Sequence, residues 1–147
     1  MRKPLLCLDF DGVLHSYTRG WKGVAVIPDP PVPGAMQFLR DLIEDGRFKL
    51  AIHSSRSKSL RGRWAMQRWL YRALIEEFGY QAGPCMDPLY LEILDAIHWP
   101  WFKPAAFLTI DDRAITFDGT FPPLSVLAAF KTWMQRAPMP PPPGAEG

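Results

Sequence analysis

One apolar run that breaks off in two carboxylates constrains this chain more than any other feature: Leu5-Leu6-Cys7-Leu8-Asp9-Phe10-Asp11-Gly12-Val13-Leu14-His15. A short apolar stretch closed this abruptly reads as a buried β-strand whose carboxyl end presents acids into a loop. Period-2 geometry puts Asp9 and Asp11 on one side if the strand continues. Gly12 permits a sharp turn directly after them. Two carboxylates this close disfavour each other's ionised form unless a cation or hydrogen-bond donors compensate. A hard divalent ion such as Mg²⁺, which takes oxygen ligands, is the natural partner. A strand followed by a plain Asx turn is the lesser alternative when the motif is read alone. A calcium loop does not fit. It needs oxygen ligands at regular spacing and a closing glutamate, where this chain has apolar and basic residues.

Two further apolar runs end in polar groups. Residues 48–53 read as a second strand, closed by Ser54-Ser55-Arg56-Ser57, and residues 106–110 as a third, closed by Asp111-Asp112. Between the strands lie helical patterns. Met36, Phe38, Leu39, Leu42 and Ile43 form one apolar face ahead of Gly46. Residues 60–78 form a second helix closed by Gly79, 88–98 a third and 124–135 a last one. Thr116-Phe117 reads as a short further strand, with Asp118-Gly119 as a turn. Strands alternating with helices predict an α/β fold with a parallel sheet and right-handed crossovers. In such a sheet all strand ends that follow the same direction share one edge, and ligands bind there. Four carboxylates and the Ser54 hydroxyl would therefore converge, an arrangement that is costly without a cation.

Composition narrows the class. The 147 residues are 48% hydrophobic and 22% charged, a globular balance for one ordinary domain. We expect a catalytic domain over 1–136 and a proline-rich extended tail over 137–147, for which a polyproline ligand role is conceivable. No apolar run reaches a membrane span, and acids interrupt the first apolar stretch, so a signal peptide is not expected. Two cysteines, Cys7 and Cys85, give neither a disulfide framework nor a zinc site. The expected compartment is the cytoplasm. A net charge of +2 does not by itself argue for nucleic acid.

The three motifs together resemble a haloacid-dehalogenase-superfamily (HAD) phosphohydrolase. Asp9-Phe10-Asp11-Gly12-Val13-Leu14 is similar to the first motif of that superfamily, Leu50-Ala51-Ile52-His53-Ser54 to its second and Leu108-Thr109-Ile110-Asp111-Asp112 to its fourth. The resemblance implies a three-layer α/β/α Rossmann-like sheet. It implies Asp9 as nucleophile and Asp11 as general acid/base. It implies Ser54 as donor to a phosphate oxygen, a role compatible with capping the next helix. Asp9, Asp11, Asp111 and Asp112 would hold Mg²⁺, with Asp111 the direct ligand. The expected activity is Mg²⁺-dependent phosphate-ester hydrolysis through an aspartyl-phosphate. The alternatives are a phosphotransferase, or a phosphate- or nucleic-acid-binding module with little turnover. A carboxylate at position 11 favours hydrolysis, because superfamily dehalogenases and ion-pumping ATPases lack an acid there. To cycle between acid and base, Asp11 should have a raised pKa.

The third motif, a cation that steadies the phosphate, has two candidates. Lys103 has the right sequence order but precedes its strand, so it reaches the site only if residues 99–104 fold back. Arg56 lies just after Ser54. His53 is expected to pack within its strand, and His15 to contact substrate or sit in solvent. Lys58, Arg61, Arg63, Arg68 and Arg72, interleaved with Trp64 and Trp69, form either the solvated face of an amphipathic helix or a polyanion-facing surface. The gaps between motifs are too short for a large cap domain. An open site implies a large phosphorylated substrate (a nucleic-acid end or a phosphoprotein) or a metabolite covered by a second subunit.

Overall fold

The structure, a computed structural model, describes residues 2–79 and 89–136. Cys85 and the tail over 137–147 lie outside the described residues. The chain divides into two compact units, 1–111 and 112–147, where sequence reading draws one domain over 1–136.

The first unit is built on a four-stranded, all-parallel sheet. Its strands are β1 (Leu5–Leu8), β2 (Lys49–Ile52), β3 (Ile97–His98) and β4 (Leu108–Ile110), in the spatial order β3-β2-β1-β4. Leu6, Cys7 and Leu8 of β1 are all buried, as are Leu50, Ala51 and Ile52 of β2. Continuous apolar runs of this kind are what a covered parallel sheet requires. The helices α1 (Ala35–Asp45), α2 (Leu60–Phe78) and α3 (Leu89–Ala96) pack on one another and bury Leu39, Met66, Leu70, Leu74 and Ile93 in one core with the strands. This makes one helical layer. The topology is compatible with a Rossmann-like fold. The second helical layer of the expected three-layer arrangement is not among the described elements of this unit.

Most boundaries follow local chemistry. Helix α1 ends at Gly46, whose N–H bonds to the Leu42 carbonyl. Helix α2 starts at Ser59, whose hydroxyl accepts from the Gly62 N–H, and stops at Gly79. The expected third helix ends two residues early, because Ile97 and His98 leave it and pair with Leu50 and Ala51 as β3. Residues 24–27 form no hairpin. They belong to an irregular flap over 16–32 held by the isolated bridges Asp11–His15 and His15–Pro31.

In the second unit, Thr116 and Phe117 are not in a strand. The Asp118 carboxylate accepts from the Thr120 N–H at 2.9 Å and forms the expected turn with Gly119. Helix α4 (Leu124–Ala128) is much shorter than the periodicity suggests. It buries none of its residues, and a helix of so few turns is not sustained without packing. Among the described residues no helix is long and apolar enough to cross a membrane.

Candidate active site

The strand order decides where a site forms. Crossovers run from β1 out to β3, then the chain returns to the other side of β1 to place β4. The order therefore reverses between β1 and β4, and the crevice outside the carboxyl ends at such a reversal is where ligands bind in open α/β sheets. Asp9 and Asp111 are the residues directly after those two strands. Leu8 lies level with Ile110, and the Asp9 N–H continues the ladder to the Ile110 carbonyl at 2.9 Å. One register step on, the two carboxylates are level, and each offers an oxygen within 4.8 Å of the other. Residue 112 opens the second unit. Among the described residues, one Asp112 carboxylate oxygen is buried without a hydrogen-bond partner. An all-oxygen donor pair at a turn of the chain fits a hard divalent cation, and among the described residues no sulfur or imidazole joins the acidic group.

Asp11 is not with that pair. The loop turns back at Gly12, whose φ of 85° only glycine adopts easily and whose N–H bonds to the His15 carbonyl at 2.7 Å. That turn places the Asp11 carboxylate against His15 and Arg56. His15 Nδ1 stands 2.8 Å from Asp11 Oδ1, while His15 Nε2 accepts from the Asp29 N–H at 3.1 Å. This pattern assigns the ring proton to Nδ1. Arg56 donates from Nε to Asp11 Oδ2 at 3.0 Å and from Nη2 to Oδ1 at 3.2 Å. Its Nη1 donates to the Gly23 and Val24 carbonyls at 2.8 and 2.9 Å. The guanidinium also lies 4.6 Å from the centre of the Trp21 ring. Arg56 is fully buried, and the Asp11 side chain is 14% exposed.

This environment corrects the expected protonation of Asp11. Burial is the largest single influence and would raise its pKa. The hydrogen bonds from His15 and Arg56, with the guanidinium charge, together outweigh it and hold the carboxyl below the ordinary 3.8. Asp11 is thus an anion in this arrangement, and its oxygens are spent on the two bases, not turned to a metal beside Asp9. Arg56 is likewise placed with Asp11 and the flap.

Lys103 lies near the carboxyl halves of two strands. Residues 99–104 fold back along β2, where the His53 ring hydrogen-bonds the Trp101 backbone. The Lys103 charge acts on both Cys7 and His53, at the carboxyl halves of β1 and β2. His53 itself is pulled below its ordinary value, chiefly by burial. Burial pushes the Cys7 thiol up, so it is an inert core residue.

Ser54 takes the capping role. It is buried, its Oγ accepts from the Arg56 N–H at 3.0 Å, and its own N–H bonds to Ser57 Oγ at 3.0 Å. The hydroxyl proton points to Met66 Sδ at 3.4 Å. Together these close a capping box on the 3₁₀ turn Ser55–Lys58.

Two residues of the site escape sequence reasoning. His15 is fully buried, stacked on Phe10 and edge-on to Trp69 and Tyr17, where a solvent or substrate-facing histidine is expected. Asp29 is also buried. It accepts from the Arg19 N–H at 2.9 Å, and its carbonyl accepts from Trp69 Nε1 at 3.1 Å. The only advance signal was the four-residue spacing of Asp11 and His15.

Fold and site define an α/β protein with a parallel sheet and a carboxylate pair at its strand-order reversal. No family model, curated protein or solved structure matches this chain.

Proposed function

We propose that this chain is a HAD-like, Mg²⁺-dependent phosphohydrolase that works through Asp9. The observation that supports the reading is the pairing of Asp9 with Asp111 at the β1/β4 reversal; Asp11, two residues after Asp9, is ion-paired to Arg56. In the proposed reaction an Asp9 oxygen attacks phosphorus and the ester P–O bond breaks, leaving an aspartyl-phosphate and an alkoxide that takes up a proton. Water then attacks the phosphorus, the P–O bond to the Asp9 oxygen breaks, inorganic phosphate leaves and the Asp9 carboxylate is regenerated. Asp11, anionic between His15 and Arg56, is suited to accept the proton of that water. Asp9 and Asp111 would hold Mg²⁺, which neutralises charge on the transferring phosphoryl group. Lys103, folded back towards the strand ends, is the better candidate to steady the phosphate, since Arg56 is committed to Asp11.

One observation favours a second reading, a phosphate- or nucleic-acid-binding module with little turnover. To protonate a leaving group Asp11 must first gain a proton, and the Arg56 pair opposes that. Hydrolysis of an aryl phosphate with and without Mg²⁺ separates the two. The enzyme reading expects metal-dependent turnover that Asp9→Asn abolishes without unfolding the protein. Turnover of Asp9→Asn within about tenfold of wild type, roughly 1.4 kcal/mol in barrier, would refute the nucleophile.

A further inference from the structure

Outside the acid site the first unit carries a one-signed surface. Residues 12–28 and 53–75 contain no Asp or Glu. They form the flap, the 3₁₀ turn and most of α2, and they expose Lys22, Lys58, Arg61, Arg68 and Arg72. The flap and α2 are in close contact. A side chain at Gly62 would meet the Arg56 carbonyl oxygen at 2.1 Å and Val24 Cγ2 at 2.9 Å, so only glycine allows this approach. The two elements enclose an open groove of about 240 Å³. Ala25 and Ile27 of the flap line it, with Trp64, Trp69, Arg68 and Arg72 of α2. Trp64 is 60% exposed, and the Arg68 guanidinium lies 5.1 Å from the centre of its ring. Trp21, 49% exposed, lies over Arg56 in the same way.

Exposed indole faces beside arginines are costly for a surface with no partner, because large apolar rings gain nothing from water. They suit a ligand with flat apolar faces and a regular negative charge. Nucleobases stack on such rings whatever their sequence, while the backbone phosphates meet the cations. An acidic peptide would use the cations but not the ring faces. A volume of about 240 Å³ is below the roughly 300–1,000 Å³ of sites that enclose a whole small ligand. It suits one base of a strand that continues outside.

We propose that the groove between the flap and α2 binds single-stranded nucleic acid, stacking a base on Trp64 and holding phosphates with Arg68 and Arg72. The flap runs from this groove back to Trp21, which covers Arg56 and through it Asp11. The strand is thereby led towards the Asp9 edge, and the substrate class is a phosphorylated single-strand end. The groove stands on its own geometry; the delivery to Asp9 rests on the phosphohydrolase reading.

The test is fluorescence anisotropy of a labelled oligothymidylate with the full chain, competed by heparin and by polyglutamate. The expected result is saturable binding that weakens roughly tenfold in Trp64→Ala, the loss of one stacked base, and is restored in Trp64→Phe. Affinity should fall with salt at a log–log slope of about −1.4, for the two phosphates held by Arg68 and Arg72 on a single strand. Trp64→Ala should keep its melting temperature and its aryl-phosphate turnover, and Asp9→Asn should bind the oligonucleotide as wild type does. Absence of binding overturns the proposal. So does binding that Trp64→Ala leaves unchanged, or that polyglutamate displaces as well as unlabelled oligothymidylate does. Absence of aryl-phosphate turnover in the wild-type chain with oligonucleotide binding intact would sink the enzyme reading and leave the groove standing.

Discussion

Arg56→Ala is the most informative perturbation of the fold. The guanidinium is fully buried and donates to both Asp11 oxygens and to the Gly23 and Val24 carbonyls. Removing one partner of a buried ion pair costs about 3–5 kcal/mol, mostly because the other charge stays behind unpaired. The lower end applies here. Asp11 is 14% exposed and the two carbonyls belong to a half-buried loop, so water can partly re-solvate all three. His15 also remains as one donor to Asp11. We therefore expect a loss of about 3 kcal/mol, and a melting temperature lower by about 12 °C at roughly 4 °C per kcal/mol for a unit of this size. Thermal and urea unfolding followed by circular dichroism measure it. The double-mutant cycle with Asp11→Asn should show a coupling of about 2 kcal/mol, since the two groups share bidentate hydrogen bonds. If Arg56→Ala unfolds within about 0.5 kcal/mol of wild type, as changes to exposed charges do, then the pair is not formed as described.

Other outcomes follow from the same geometry. Gly62→Ala should destabilise, although alanine is ordinarily about 1 kcal/mol better than glycine inside a helix. The added carbon would sit 2.1 Å from the Arg56 carbonyl oxygen, and backbone cannot yield as a side-chain tip does. A higher melting temperature for Gly62→Ala would show that the flap and α2 are not so closely packed. Asp29 is buried and held below the ordinary 3.8. Burial opposes this, but the Arg19 N–H, the Thr18 hydroxyl and nearby charges outweigh it. Its folded pKa is lowered, so its contribution is full above the ordinary value and is lost as pH falls through the lowered one. Urea midpoints measured down through that acid range should fall more steeply for wild type than for Asp29→Asn; parallel curves would contradict the assignment. Asp111→Asn should raise the Mg²⁺ concentration needed for aryl-phosphate turnover at least tenfold, and Asp11→Asn should slow turnover while leaving that requirement unchanged. The reverse pattern in a Mg²⁺ titration would exchange their roles.

How much was legible beforehand depended on how local the cause was. Helix α2 runs from Leu60 to Phe78 as its pattern indicates, because Ser59 and Gly79 act on backbone groups within one turn of themselves. The apolar runs of β1 and β2 end close to where the polar groups appear, since a covered parallel strand tolerates only apolar side chains. Helix α4 and the segment around Thr116 were misjudged for the opposite reason. Their apolar residues imply burial, and the burial that would hold a longer element is not made.

By itself the sequence determined the α/β alternation, the acids at the strand ends and the caps, all of which arise from contacts a few residues apart. Tertiary structure alone decided the order β3-β2-β1-β4, and with it that Asp9 meets Asp111, 102 positions further along the chain. It alone made Ile97–His98 a strand, because two residues are extended only when β2 supplies their hydrogen bonds. It alone gave Asp11 its partners. Arg56 lies 45 residues away, and a charge that reads as a phosphate-steadying cation becomes a buried clamp on Asp11 only when β1 and β2 lie side by side and the flap closes over it. Local propensity carries no record of such pairings; they exist only once the sheet has brought the strand ends to one edge.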